Sequence, residues 1–181
     1  HGDLVVAGFG VATRIEMLFW MIMAAVATST GPIVGQNWGA GLYTRVRDSM
    51  RTSYLFCLGW GVFSLIVMLI WVEPMVAIIK NDPTIIDIAT EYLLIIALSL
   101  GFVGVQNTAS FCFNALGKPG PALVLSIFRL IVLYVPMAIA ANYWFGYVGV
   151  FWATAIANVV AGAISWLWAR SAISPNSGAG T

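Results

Sequence analysis

The chain alternates between long apolar runs and short stretches in which glycine, proline and charged residues are concentrated. About 20 apolar residues in a helix cross the roughly 30 Å hydrocarbon layer of a membrane, and each run is long enough to do so. The pattern therefore predicts an all-α fold, a polytopic membrane helix bundle over residues 1–174 and a disordered polar tail over 175–181. The five predicted transmembrane helices cover residues 4–34, 44–71, 83–116, 121–141 and 147–170.

Composition supports the membrane assignment. Hydrophobic residues make up 61% of the chain and charged residues only 8%, whereas soluble domains carry about 25% charged residues. The formal net charge of +1 argues against nucleic acid as a partner, because nucleic-acid binding needs a concentrated basic patch. The expected surroundings are the lipid bilayer.

The stretch over residues 32–51 fixes a turn and an orientation. Gly35 follows an apolar run, and a glycine there predicts the end of the first helix. Basic residues beside transmembrane helices mark the cytoplasmic side. With this turn inside, Lys80 is the only basic residue in an outer connection, and the C-terminus is cytoplasmic. The residues then placed inside are Arg45, Arg47, Arg51, Lys118 and Arg170.

Three local signals refine the helix boundaries. Asp82 precedes Pro83, which predicts a side-chain cap followed by proline in the first helical position. Gly117 and the prolines after it predict a tight inner turn. Pro136 leaves a carbonyl without its partner, so we expect it to kink the fourth helix and to act as a hinge.

Charged residues inside membrane helices are costly and are candidates for function. Arg14 and Glu16 both lie within the first predicted helix, but a spacing of two puts them on different faces. Glu16 is therefore either a proton or cation site or one half of a buried ion pair with an arginine of another helix. Arg129 lies about two turns into the fourth helix, from where its side chain could extend to the inner surface.

Uncharged polar residues form stripes on two helices. Such stripes either line a transport pathway or hydrogen-bond one helix to another. The candidate pathway residues of the third helix are Gln106, Asn107, Ser110 and Asn114, and the stripe of the fifth helix contains Thr154, Asn158, Gly162 and Ser165.

Catalytic chemistry is not indicated by any motif. The sequence has no nucleophile–base pair, no phosphate-binding glycine loop and no metal-ligand cluster, and its one histidine is His1. We therefore expect no enzyme activity, no metal site and no cofactor. Both cysteines, Cys57 and Cys112, fall in apolar runs, where cysteine usually behaves as a small hydrophobic residue.

Three segments carry a family resemblance. VGQNWGAG over 34–41, FNALGKPGPALVLSIFRL over 113–130 and GVFWATAIANVVAG over 149–162 together resemble the multidrug and toxic compound extrusion (MATE) family. The resemblance implies a two-lobed transporter of the bacterial inner membrane that exports organic cations and drugs in exchange for protons or sodium. This chain would be the last five of twelve helices, and its partner would be the missing N-terminal lobe.

The resemblance also bears on the coupling ion. Some branches of the family place an acidic residue in the helix that matches the third one here, but residues 101–110 contain Gln106 and Asn107 and no carboxylate. That leaves Glu16 as the only deep carboxylate. Alternative functions are a flippase of lipid-linked sugars from the same superfamily, a membrane enzyme acting on lipids, and a non-catalytic membrane subunit.

Overall fold

A computed structural model of the chain describes residues 2–173, and the prediction of an all-helical fold is confirmed for them. The helices are α1 (Gly2–Gly39), α2 (Tyr43–Ile79), α3 (Pro83–Ala115), α4 (Pro119–Ile127), a π-helix (Phe128–Tyr134) and α5 (Val135–Ala172). The predicted tail over 175–181 lies outside the described residues.

Within residues 2–173, four helical stretches are long and apolar enough to cross a membrane, rather than the five predicted. Three of them are α1, α2 and α3, and the fourth is one continuous stretch of 54 residues, Pro119–Ala172. The predicted fourth and fifth helices both lie within it. The stretch is interrupted at Gly146, where φ of 63° and ψ of −149° are not helical.

The chain folds back on itself at Gly146. Arg129 Nη1 lies 3.1 Å from Asn158 Oδ1, although 29 residues of straight helix would separate the two positions by about 44 Å. A Cβ on Gly149 would collide with the carbonyl group of Ala141 on the other side of the break. Residues 119–145 and 147–172 are therefore two packed helices, which we call the first leg and the second leg.

The first helix ends later than the sequence indicates. α1 continues past Gly35 to Gly39, and the residue with left-handed geometry is Gly41, with φ of 72°. Gly41 N–H donates to Trp38 O at 3.0 Å and Leu42 N–H to Asn37 O at 2.9 Å, the two bonds of a Schellman motif. The prediction that Gly35 ends the helix is wrong, because Gly35 instead packs against Ala115 of α3.

Two other predicted boundaries are observed. Asp82 Oδ1 accepts hydrogen bonds from Thr84 N–H at 3.0 Å and Ile85 N–H at 3.3 Å, and Pro83 opens α3. Gly117 has φ of 71° and closes α3 in a second Schellman turn. The second helix, by contrast, extends to Ile79 rather than ending at residue 71, and it contains Pro74.

α3 is the central helix and packs against α1, α2 and the second leg. Its contact with α2 is a backbone contact, since a Cβ added to Gly61 would lie 2.6 Å from Gly101 Cα. On the outside of the bundle, α2 exposes a row of large apolar side chains, which suits contact with lipid. These include Leu55, Phe56, Phe63, Ile66, Leu69 and Trp71.

Candidate functional site

A cavity of about 560 Å³ lies between α1, α3 and the two legs. Most of its wall is apolar, and only a few polar groups reach it: the carboxylate of Glu16, the guanidinium of Arg129, and Asn142, Thr154 and Asn158. This combination is typical of small-molecule binding sites. The aromatic side chains of the wall are Phe9, Trp20, Tyr92, Tyr134, Tyr147 and Phe151.

Glu16 is the carboxylate of the cavity, and its partner is a tyrosine. Tyr92 of α3 donates from its hydroxyl to Glu16 Oε2 at 2.7 Å. The Tyr92 ring meets the rings of Phe9 and Phe151 edge to face, with centroids 5.1 and 4.9 Å away. Edge-to-face packing fixes the orientation of the tyrosine ring, so the carboxylate is bound by a donor that is itself held in place.

Arg129 belongs to a second polar group on the same cavity. Its Nη1 donates to Asn158 Oδ1 at 3.1 Å, and Asn158 Nδ2 donates to Ser99 Oγ at 3.2 Å. Asn158 and Ser99 are both buried, so this chain of bonds joins the two legs to α3. The interpretation that Arg129 extends to the inner surface is wrong, because its guanidinium turns into the bundle to reach Asn158.

The two charges of the cavity do not pair with each other. Within residues 2–173, the hydrogen bonds of the Glu16 and Arg129 side chains go to the neutral groups of Tyr92 and Asn158. Arg14 is exposed and does not line the cavity. The ion-pair alternative for Glu16 is therefore not observed in the described part of the chain.

The stripe on α3 lies apart from this cavity. Ser110 Oγ donates to the Gln106 carbonyl of its own helix at 3.0 Å, Asn107 is half-buried and Asn114 is exposed. None of these residues lines the cavity. The side chain of Gln106 is buried, and its Oε1 has no hydrogen-bond partner within residues 2–173.

The polar stripe on the second leg contains two residues that line the cavity and two that lie in contacts between helices. Thr154 and Asn158 line the cavity. Gly162 lies against Phe102 of α3, where an added Cβ would be 2.6 Å from the carbonyl oxygen, and Ser165 Oγ bonds to Ala161 O of its own helix at 2.7 Å. Two members of the stripe thus face the cavity, and two allow close packing.

Pro136 is exposed and lies one residue beyond the π-helix, after Val135. The last bond of that segment runs from Val135 N–H to Leu130 O, which spans five residues instead of four. Near Pro136 the first leg is therefore widened, whereas the break in the helical backbone is at Gly146. The predicted hinge at Pro136 stays a prediction.

Among the residues of the site that sequence reasoning missed are Tyr92 and Ser99, which hold its polar groups in place. A tyrosine inside an apolar run needs a partner for its hydroxyl, and that signal could have singled out Tyr92. Ser99 has no comparable signal, because serine in a membrane helix often bonds to its own backbone, as Ser99 also does with Ile96 O at 2.9 Å. No group of three or more His, Cys, Asp or Glu residues suited to a metal occurs within residues 2–173.

The long apolar helices define the class, an integral membrane protein with a helical bundle. The MatE family model matches residues 1–140, which is most of the chain. The chain therefore belongs to the MatE family, a family of transporters and not of enzymes, and its predicted resemblance to MATE proteins is confirmed.

Two curated relatives cover most of this chain. It is 27% identical over 170 residues to the FAD transporter of Shewanella oneidensis, an alignment of 94% of this chain and 38% of that protein. It is 25% identical over 150 residues to the probable multidrug resistance protein YpnP of Bacillus subtilis, covering 83% of this chain and 34% of that protein. The chain thus spans less than two fifths of the length of these relatives.

The fold agrees with a solved transporter structure. The crystal structure of the Vibrio cholerae MATE transporter VcmN in the bent form superposes with a TM-score of 0.87 and 27% identity. The match covers 93% of this chain and 38% of that one.

Proposed function

We propose that this chain is part of the C-terminal lobe of a MATE antiporter that exports small organic cations in exchange for protons. The observation that carries the proposal is Glu16, a carboxylate in an aromatic-walled cavity with a neutral hydrogen-bond partner. Aromatic faces attract organic cations, and a carboxylate that is not neutralised by arginine can bind either a cation or a proton. One site can then load its two cargoes in alternation.

The choice of the proton rests on the same residue. Glu16 is the only carboxylate that lines the cavity within residues 2–173, so one side chain would have to carry the coupling. A single carboxylate can hold one proton, with the Tyr92 hydroxyl as its neighbour. Sodium is the alternative coupling ion, and the substrate pathway would be completed by the N-terminal lobe that the family resemblance implies.

The test is Glu16→Gln in the full-length protein, reconstituted in liposomes with a cationic dye and an imposed pH gradient. Glutamine keeps the shape and an oxygen acceptor for the Tyr92 hydroxyl, so we expect normal abundance and dye binding. Efflux should lose its dependence on the pH gradient. Asp87→Asn is the matched control, since Asp87 is exposed on the same bundle. Efflux that the gradient still drives in the glutamine variant would contradict the role of Glu16.

We further propose that each leg crosses the membrane separately, which gives five crossings with Gly146 near the outer surface and a cytoplasmic C-terminus. The fold-back at Gly146 and the position of the arginines support this topology. Single cysteines at Tyr43 and Gly120 should be shielded from an impermeant thiol reagent in intact cells, whereas those at Asn81 and Tyr143 should react. Reaction at Tyr43 with protection at Asn81 would invert the topology.

A second cargo deserves a direct comparison, because the relative from Shewanella oneidensis is a FAD transporter and aligns with 94% of this chain. An aromatic wall suits a flavin ring as well as a drug, and Arg129 could bind a diphosphate. Competition between FAD and the cationic dye would separate the two cargoes. If FAD is the cargo, Arg129→Gln should lower FAD uptake into inverted vesicles far more than it lowers dye transport.

A further inference from the structure

A second cavity, of about 620 Å³, lies where α2 begins and the second leg ends. Three arginines from the two helices line it: Arg47 and Arg51 from α2, and Arg170 from the second leg. Tyr54 and Trp166 form part of its wall, with ring centroids 5.3 Å apart. We call this space the arginine cavity. It is separate from the cavity of Glu16, with which it shares no lining residue.

The charge of the arginine cavity is not neutralised by the described protein. Within residues 2–173, none of its three guanidinium groups has a side-chain hydrogen bond or ion pair. The nearest acid along the chain is Asp48, which is exposed and does not line the cavity. Three positive charges around one concave space create a potential that attracts an anion.

The position of these arginines along their helices places the cavity at a membrane surface. Residues 52–72 of α2 and residues 147–169 of the second leg contain no charged side chain. At 1.5 Å per residue these runs measure about 32 and 35 Å, close to the roughly 30 Å hydrocarbon thickness. Arg51 and Arg170 are the first charged residues beyond the two runs, at the same end of the bundle, so they lie at the level of lipid headgroups.

The surroundings of the cavity are apolar on the lipid side and aromatic on the protein side. Leu55 lines the cavity and is 52% exposed, and Leu167 of the second leg is 66% exposed. Tyr54 is only 3% exposed, and its hydroxyl has no hydrogen-bond partner within residues 2–173. A ligand here would meet basic groups at the surface and apolar groups just below it, which is the order of groups in a phospholipid.

We propose that the arginine cavity binds a phosphate-bearing anion, the headgroup of an anionic membrane lipid. The planar guanidinium group offers paired N–H donors that match phosphate oxygens, and several such groups can share one phosphate. Basic pockets between transmembrane helices are known places for acidic headgroups. A bound lipid would join the start of α2 to the end of the second leg.

The test uses the purified full-length protein and counts bound lipid by native mass spectrometry. Phosphatidylglycerol is titrated, with phosphatidylcholine as the zwitterionic comparison and inorganic phosphate as the soluble source. The variant is Arg51→Gln/Arg170→Gln. The matched control is Arg45→Gln, because Arg45 is exposed at the same end of α2 but does not line the cavity.

We expect one phosphatidylglycerol to bind the unmodified protein at least about tenfold more tightly than the double variant, since two charge-assisted contacts are lost. Arg45→Gln should bind as the unmodified protein does, and higher salt should weaken binding to the unmodified protein. Binding of inorganic phosphate, but not of lipid, in an arginine-dependent manner would assign the site to a soluble phosphate compound. The proposal would be overturned if the double variant bound phosphatidylglycerol and inorganic phosphate as tightly as the unmodified protein does.

All three arginines are exposed, so their replacement leaves the core intact. A monodisperse elution profile of the double variant checks this directly. The salt dependence is measured on the unmodified protein and needs no variant. Phosphatidylglycerol binding that is insensitive to salt would contradict an arginine–phosphate contact.

Discussion

The two sides of α3 are built in different ways. Against α2, the helices meet through their backbones at Gly61 and Gly101, where no side chain intervenes. Against the legs, α3 is joined by side-chain bonds that run from Ser99 through Asn158 to Arg129, beside a further backbone contact of the second leg at Gly162 and Phe102. We call the first contact the glycine interface and the second the polar interface.

The difference indicates which part of the bundle can move. Helices in backbone contact lose close packing as soon as they separate, and dense interiors resist such deformation. Side chains around a cavity can change rotamer and keep a hydrogen bond while the helices shift. The second leg is also in backbone contact with α3, at Gly162. We therefore expect α1, α2, α3 and the second leg to behave as one unit and the first leg to move relative to it.

The largest effect should follow from filling the glycine interface. Gly61→Leu would place side-chain atoms where the backbone of Gly101 lies, and such overpacking costs about 3 kcal/mol or more. We expect most of the protein to be lost from the membrane fraction, as measured by immunoblotting. Gly59→Leu is the control, because nothing lies within 4 Å of a Cβ at Gly59. Equal abundance of the two variants would contradict backbone contact between α2 and α3.

The polar interface should be less sensitive. Asn158→Leu keeps the number and branching of the side-chain heavy atoms but leaves Arg129 without its partner and removes the donor to Ser99 Oγ, at a cost of about 1–3 kcal/mol. We expect a lower melting temperature in detergent together with reduced transport. Thr154→Val is the control for losing a polar group of this cavity that bridges no helices. Thr154 lines the same cavity, but its hydrogen bond within residues 2–173 goes to Val150 O of its own helix. A larger shift for Thr154→Val than for Asn158→Leu would refute the bridging role.

The fold-back between the legs should depend on one backbone conformation. At Gly146, φ of 63° and ψ of −149° lie in a region that residues with a Cβ rarely adopt, and the strain costs about 1–3 kcal/mol. Gly146→Ala should therefore lower the thermal stability moderately. Gly120→Ala should not, because Gly120 has no positive φ and no atom within 4 Å of an added Cβ. Comparable melting temperatures for both variants would count against a strained turn.

The smallest effect on stability should come from Pro136. Pro136→Ala restores an N–H donor at an exposed position near the π-helix but also frees the unfolded chain, and these effects have opposite signs. We therefore expect a net change in unfolding free energy below about 1 kcal/mol. If the first leg moves against the rest of the bundle, the variant should transport more slowly at normal abundance. Initial rates of dye efflux measure this. A variant that fails to accumulate would indicate a folding role and no hinge.

Features encoded within a few residues were predictable. The pair Asp82–Pro83 contains the whole signal of a helix start. Gly117 and the prolines that follow it contain the whole signal of a turn. The family resemblance likewise rests on three short segments. Such features depend on local backbone geometry, which does not change with the arrangement of the other helices.

Features that depend on another helix were not predictable. Gly35 has the same local signal as Gly41, and only contact with Ala115 of α3 distinguishes a packing glycine from a terminating one. The direction of Arg129 is set by Asn158, and the partner of Glu16 is Tyr92, 76 positions away. Periodicity gives the face on which a residue lies, but not which helix will cover that face.

The π-helix has a consequence for how the length of this chain can vary. A turn closed by bonds over five residues contains about one residue more than a turn closed by bonds over four. Residues 128–134 therefore contain an extra residue that a regular α-helix would not need. Loss of one residue there could be absorbed by a return to α-helical winding. The same deletion in α3 would rotate Gly101 away from α2 and dismantle the glycine interface. Insertions and deletions between related sequences should therefore be tolerated in the first leg around Arg129, where each would turn a different set of side chains toward the cavity.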